Sequence, residues 1–254
     1  ILIGLALTPY LTNASGIPGM LTIYGAIALA AMLVVLLFGR ERPPSPPCPP
    51  EQEARSLGVE GLNRMIRQRD FIFLMVIFFV GLGAFNAVTT WIEQILAPRG
   101  FSATQAGNAG GVMIFGGILG ALILPILSDK ARKRAPFLIL SVIGAAVGLV
   151  GLTYVTSNLL LLVFSFIFGF FLLSAGPIGF QYGAEITYPA PEGTSNGLLL
   201  LMGQVSGIAF ILVMDSFKDP ATGSMTPSLL VLILLLVICL FFGFRLKEAA
   251  QNKT

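Results

Sequence analysis

The chain has 254 residues, of which 56% are hydrophobic and only 11% are charged, with a formal net charge of +3. A soluble domain carries about 25% charged residues, so this composition indicates a polytopic membrane protein whose solvent is the lipid bilayer. The small positive charge argues against nucleic acid as a partner. With no histidine and two cysteines, we expect no metal site and no cofactor.

The first 38 residues predict the end of one transmembrane half. Ile1 to Leu11 is an apolar stub, too short to cross a bilayer that needs roughly 20 helical residues, and Thr12 to Pro18 is expected to form a turn. Gly19 to Phe38 is long and apolar enough for a full span. Because the chain starts inside an apolar segment and without Met, we expect that an amino-terminal part is missing.

Residues 39–70 predict a cytoplasmic linker. The segment from Pro43 to Pro50 holds six prolines, which exclude a helix there. Gly58 to Arg69 is expected to form a short amphipathic helix on the membrane surface.

The remaining chain predicts a carboxyl-terminal half of six helices over residues 71–245 and a short cytoplasmic tail over 246–254. Thr194 or Ser195 is expected to cap the fifth of these helices. The fold class is therefore all-α, a six-helix bundle preceded by one span and a helix stub. The predicted spans are Phe71–Leu96, Thr104–Leu127, Pro136–Val155, Asn158–Tyr182, Thr194–Met214 and Ser228–Phe244.

Basic residues predict the orientation. With strict alternation of the spans, thirteen of the fifteen Lys and Arg residues fall on one side, and Arg99 and Lys218 alone fall on the other. Because basic loops stay in the cytoplasm, we expect a cytoplasmic carboxyl terminus. The expected location is the plasma membrane, or the inner membrane of a prokaryotic cell.

Polar side chains inside two spans predict a substrate path. Asn86, Thr89 and Thr90 bring groups that hydrocarbon cannot satisfy, so they should face protein or a watery cavity. Gln204 lies about ten residues into its span, near the midplane, where alternating-access transporters hold their substrates. A hydrogen bond between helices would explain Gln204 equally well.

Glycine spacing predicts close helix packing in the second span of the six-helix half. Gly107 with Gly111 and Gly116 with Gly120 each form a small-xxx-small pair, which lets two helix backbones approach closely.

The segment from Leu127 to Arg134, Leu-Ser-Asp-Lys-Ala-Arg-Lys-Arg, resembles the signature hairpin of the major facilitator superfamily. It departs from that pattern at Pro125 and Arg132, where glycine is usual. The resemblance implies that Asp129, Lys130 and Arg132 form a charge network that latches one conformation. A plain positive-inside loop is the alternative.

The segment from Glu185 to Gln204 resembles the feline leukaemia virus subgroup C receptor-related family, solute carrier family 49. Gly83-Ala84-Phe85 with Gln94, and Gly179-Phe180 before Tyr182, extend the likeness. It implies a secondary or facilitative transporter of a small organic solute, which is an amine, vitamin-like or haem-like compound. It also implies that Gln204 contacts the substrate, whereas Asn86 stands where choline carriers have tyrosine and cannot supply a cation–π contact. Trp91 and Phe85 are the aromatic residues that would replace it, and an interfacial anchor is the alternative role for Trp91.

We therefore expect a monomeric transporter and no enzymatic activity. Glu93 is the candidate for proton coupling. A seven-helix receptor and a membrane-embedded enzyme remain alternatives, although no paired carboxylates, histidines or Ser–Lys pair fall at depth. The predicted substrate-binding residues are Asn86, Trp91, Gln94, Gln181, Tyr182 and Gln204.

Overall fold

The computed structural model describes residues 2–39, 63, 65–188 and 190–248. The chain forms two compact units, Ile1–Arg55 and Ser56–Thr254, so the boundary between them falls inside the predicted linker 39–70. The proline-rich segment, the start of the predicted surface helix and the tail from residue 249 onward lie outside the described residues.

The first unit contains helix α1 (Leu2–Phe38), which breaks at Gly16. Gly16 has a φ of 69°, a conformation that glycine adopts readily and other residues avoid. The predicted turn over Thr12 to Pro18 is wrong in extent, because the chain is helical on both sides of this one residue. The part from Ala14 to Phe38 is long and apolar enough to cross a membrane.

The second unit contains six further helices of membrane-spanning length, so the described residues form seven in all, as predicted. No strand occurs among them, which confirms the all-α class. The helices are α2 (Arg69–Leu96), α3 (Ala103–Ala131), α4 (Ala135–Tyr154), α5 (Asn158–Thr187), α6 (Glu192–Ser216) and α7 (Thr226–Gly243). A short 3-10 turn, Ala97–Arg99, follows α2.

Three predicted helix boundaries are wrong: the end of α3, the end of α5 and the start of α6. Helix α5 continues to Thr187, five residues past the predicted end at Tyr182. Helix α3 continues through Asp129 to Ala131 and ends where Arg132 takes a left-handed conformation, so only residues 132–134 join α3 to α4. The Ser128 hydroxyl donates to the Lys133 carbonyl at 2.7 Å and tightens this connection.

Helix α6 begins at Glu192, directly after Pro191, and not at the predicted cap of Thr194 or Ser195. The Ser195 hydroxyl lies within the first turn and donates to the Glu192 carbonyl at 3.0 Å. Pro191 is the N-cap residue and has an extended backbone, so the helix starts at Glu192, two residues before the predicted start at Thr194.

Helix α5 packs against α3 and α4, α2 packs against α6, and α7 packs against α4 and α2. A Cβ added at Gly116 or Gly120 of α3 would collide with the backbone of α5 at Phe166 or Phe170. The predicted close packing at this glycine pair is confirmed. A Cβ at Gly107 or Gly111 would meet nothing within 4 Å, so that pair makes no such contact in the bundle.

The bundle has two ends. At the basic end lie the 132–134 connection, the start of α6 and residues 244–248, and at the far end lie residues 97–102, 155–157 and 217–225. Between them, the buried hydroxyls of Ser141 and Ser174 share a 2.9 Å hydrogen bond that joins α4 to α5. Such a pair satisfies polar groups that lipid could not.

Candidate substrate site

Helices α2 and α6 lie side by side and run in the same direction, with glycines of α6 at the contact. Added Cβ atoms at Gly203 and Gly207 would collide with Leu82 and Asn86 of α2, respectively. Further along, the indole nitrogen of Trp91 donates a 3.0 Å hydrogen bond to the carbonyl of Ile211. We call this contact the α2–α6 seam.

The seam places Asn86 one helical turn of α6 away from Gln204. Asn86 is half-buried, and its amide nitrogen lies 2.6 Å from where a Cβ of Gly207 would stand. Gln204 precedes Gly207 by three residues, which is one helical turn on the same face. Gln204 is the middle residue of α6 and is exposed.

The two threonines of α2 have different surroundings. The Thr89 hydroxyl donates to the carbonyl of Phe85 at 2.7 Å, so its own helix satisfies it, and the residue is half-buried. Thr90 is exposed one turn beyond Asn86.

Glu93 and Gln94 are exposed in the last turn of α2, about two turns beyond Asn86 toward the far end. Residues seven or eight apart share a helix face, so both follow Asn86 along one stripe of α2. The carboxylate of Glu93 thus lies at a helix end and not at mid-depth.

Gln181 and Tyr182 belong to a different part of the bundle, near the end of α5. The Gln181 amide donates to the Glu185 carboxylate at 3.1 Å. Tyr182 is fully buried, and its hydroxyl donates to the Lys247 carbonyl at 2.6 Å. The structure therefore does not bring these two residues to Asn86 and Gln204.

Arg134 is the centre of a charge network at the basic end. Its guanidinium forms an ion pair with Asp129, and it donates to one oxygen of Glu185 from two nitrogens, at 3.2 and 3.3 Å. Partial burial lowers the pKa of Arg134, but hydrogen bonds and attraction from Asp129 and Glu185 outweigh it and raise the pKa above its ordinary value. The network ties together α3, α4 and α5.

Asp129 thus has Arg134 as an ion-pair partner. The resemblance to the signature hairpin had implied a charge network of Asp129 with Lys130 and Arg132. Lys130 is exposed on the last turn of α3. Arg134 stood in the same basic cluster, but its second partner, Glu185, is 51 residues further along the chain, so no local spacing could have selected it.

Residues Leu246–Glu248 return to the bundle, and we call them the carboxyl-terminal strap. The carboxylate of Glu248 accepts hydrogen bonds from the backbone nitrogens of Arg134 at 3.0 Å and Ala135 at 3.1 Å. A carboxylate at a helix amino terminus satisfies free N–H groups and the helix dipole. With the bond from Tyr182 to Lys247, the strap closes over α4 and α5.

Arg99 makes the corresponding links at the far end. Its guanidinium donates to the carbonyl of Leu152 in the last turn of α4, and it lies 3.5 Å from the hydroxyl of Thr226 at the start of α7. The turn after α2 is thereby tied to both helices.

Side chains that bind metals do not cluster in the part of the chain that the structure describes: no group of three or more His, Cys, Asp or Glu could hold an ion there. The candidate residues at the seam are uncharged amides and a tryptophan, and the ionic networks lie near the helix ends.

Comparison with known proteins gives the family. The chain is 30% identical to solute carrier family 49 member A3 of Xenopus tropicalis, over 85% of this chain and 46% of that protein. It is 30% identical to the choline/ethanolamine transporter flvcr2b of Danio rerio, over 90% of this chain and 50% of that protein. It is also 31% identical to an uncharacterized protein of Archaeoglobus fulgidus, over 90% of this chain and 100% of that protein.

The chain spans about half the length of the solute carriers that it matches. Residues 1–211, which include α1 to α5 and most of α6, match the Major Facilitator Superfamily. With its seven membrane-length helices, the chain belongs to the major facilitator superfamily, and within it the predicted likeness to solute carrier family 49 is confirmed.

Proposed function

We propose that this chain supplies the carboxyl-terminal half, and the end of the amino-terminal half, of a transporter that moves a small primary amine by alternating access. The observation that carries this proposal is the contact of Asn86 with α6 at Gly207, one helical turn from Gln204, which is the exposed middle residue of α6. Superfamily membership and the transporter names of its relatives support it, and they argue against the receptor and enzyme alternatives. The proposed transporter is a monomer.

The amide pair favours a primary over a quaternary amine. A primary ammonium donates up to three hydrogen bonds, as the lysine side chain does, and the carbonyl oxygens of Asn86 and Gln204 are acceptors. A quaternary ammonium has no N–H and depends on aromatic faces, and Asn86 offers none. Ethanolamine, which the name of the Danio rerio transporter includes, is a primary amine.

We propose that the basic end is cytoplasmic, in a plasma or inner membrane, because it collects the basic loops. The Arg134 network and the carboxyl-terminal strap then hold the cytoplasmic ends of α3, α4 and α5 together. In this arrangement Gln181 and Tyr182 would reach a substrate only after these contacts break. Glu93, exposed beyond Asn86, is the proposed coupling residue.

The test is uptake by the full-length protein in proteoliposomes, with labelled ethanolamine and labelled choline compared. We expect ethanolamine to be the better substrate and Gln204→Ala to abolish its uptake. Leu201→Ala, at an exposed position on the same helix, is the control. Uptake that survives Gln204→Ala would overturn the proposed site, and preference for choline or for a vitamin-like or haem-like compound would overturn the substrate class.

A second measurement addresses coupling. If Glu93 carries a proton, an imposed pH gradient should raise ethanolamine uptake by the unmodified protein and leave uptake by Glu93→Gln unchanged. Equal responses of the two proteins would exclude Glu93 as the proton carrier.

A further inference from the structure

A pocket opens between α2 and α5 inside the six-helix unit. The space between its lining atoms, with the open solvent at the mouth included, is about 400 Å³, and the enclosed part is much smaller and suits only a small apolar group. Its lining comes from α2, α4, α5 and α7 and consists of apolar side chains, glycines and one thiol. Among the residues that the structure describes, no charged group and no amide lines it.

The inner end of the pocket is closed by α4 and α7. Val142, Leu236 and Cys239 are each less than 5% exposed. On the side of the basic end, the Phe78 ring lies against Gly179 and 5.2 Å from the ring of Phe180, so α2 and α5 are in contact there.

The mouth lies where α2 and α5 carry small residues. The partly exposed lining residues are Gly81 and Leu82 of α2 and Ala175 and Gly176 of α5. A Cβ at Gly176 would meet nothing within 4 Å, and a Cβ at Gly81 would make only an ordinary contact, 3.5 Å from Leu172. Two missing side chains therefore help to create the space.

The mouth adjoins the proposed amine site. Leu82 lies one turn before Asn86 on the same face of α2, and it contacts Gly203, the residue next to Gln204. A ligand held by the two amides would thus have an apolar pocket within about one helical turn, or roughly 5 Å. A wholly polar ligand would leave that pocket unused.

We propose that the substrate is amphiphilic: its ammonium group is held by Asn86 and Gln204, and a short alkyl group enters the pocket between α2 and α5. This inference rests on the proposed amine transport and narrows its substrate class to alkyl-substituted primary amines. Apolar cavities of proteins bind apolar groups readily because little ordered water must be displaced.

The test uses n-alkylamines from methylamine to hexylamine and measures the ligand-induced thermal stabilisation of the full-length protein in detergent. We expect affinity to rise about fourfold with each added methylene until the pocket is filled. Gly176→Leu fills the mouth, so its affinity should not rise with chain length while methylamine binds as before. Gly107→Leu, where an added side chain also meets nothing, should keep the dependence on chain length.

Equal chain-length dependence in the unmodified protein and Gly176→Leu would overturn the inference, since partition into detergent would then explain the trend. Amine binding with no chain-length dependence would also overturn it but leave the proposed function intact. If no amine bound while n-hexanol stabilised the unmodified protein and not Gly176→Leu, the apolar pocket would be upheld and the proposed amine transport overturned.

A variant at the closed end covers the case in which Gly176→Leu does not fold. Leu236→Ala enlarges the pocket from the inside, because Leu236 is 1% exposed and lines it. The preferred alkylamine should then become longer by one or two carbons. An unchanged preference would contradict the inference.

Discussion

The hydroxyl of Tyr182 donates a 2.6 Å hydrogen bond to the carbonyl oxygen of Lys247. This bond joins the end of α5 to the strap, and the rest of the Tyr182 side chain is fully buried. The bond therefore holds the strap against α5 at the basic end of the bundle.

Tyr182→Phe removes this bond and keeps the buried ring. We expect the free energy of unfolding to fall by about 1 kcal/mol, measured by denaturant unfolding in detergent. Tyr188→Phe, at an exposed tyrosine, should have no effect. A higher KM for uptake with unchanged stability would instead place the Tyr182 hydroxyl in contact with substrate.

Glu248→Ala removes the carboxylate that caps α4. Because two backbone N–H groups lose their acceptor, stability should fall by about 1 kcal/mol. Lys247→Ala is the matched control, since it changes the neighbouring side chain and keeps the carbonyl that Tyr182 uses. If the two variants had the same melting temperature, the strap would not depend on this cap.

The bond between Arg134 and Glu185 can be measured by a double-mutant cycle with Arg134→Gln and Glu185→Gln. We expect a coupling free energy of roughly 0.5–1 kcal/mol, because both groups remain partly exposed. Lys130→Gln, which removes the same charge at an exposed position, should show no coupling to Glu185→Gln. A coupling free energy of zero would show that the bond between Arg134 and Glu185 does not stabilise the protein.

The raised pKa of Arg134 determines how the contribution of this residue to folding stability depends on pH. A group whose pKa is raised by folding stabilises the protein below its ordinary pKa and loses that effect only as the pH rises through the folded value. For arginine both lie far above neutrality. Between about pH 6 and pH 9, stability should therefore not decline through loss of charge on Arg134, and a decline in the unmodified protein that disappears in Arg134→Gln would contradict this.

The same substitution at two glycines of α3 should have opposite effects. Gly120→Ala would place a Cβ against the carbonyl of Phe170, and we expect a loss of about 1–3 kcal/mol from overpacking. Gly107→Ala meets nothing in the bundle and should gain about 0.5–1 kcal/mol through lower backbone entropy in the unfolded chain. Thermal unfolding compares the two, and equal melting temperatures would show that α3 and α5 can separate without cost.

The sequence predicted the helices well because hydrocarbon restricts the backbone so strongly. Seven runs of apolar residues became seven spans, since lipid requires each backbone group to bond within its own helix. The errors fall at helix ends, where water and side chains can bond the backbone groups that have no partner within the helix. Ser128 tightened the connection after α3, and Pro191 moved the start of α6 away from Thr194.

The candidate site was only partly predictable. The position of Gln204 near the middle of its span follows from counting residues, and Gln204 is the middle residue of α6. The contact of Asn86 with Gly207, and the ion pair of Arg134 with Glu185, join residues more than fifty positions apart and depend on which faces of two helices meet. No pattern within one helix contains that information.

The bond between Trp91 and the Ile211 carbonyl gives the chain an intrinsic optical probe. Trp91 is the single tryptophan in these 254 residues, and its indole N–H is fixed across the α2–α6 seam at 3.0 Å. Indole emission responds to the loss of a hydrogen-bond partner and to contact with water. Any separation of α2 from α6 during a transport cycle would therefore shift the fluorescence emission of Trp91, and no label would have to be attached to the protein.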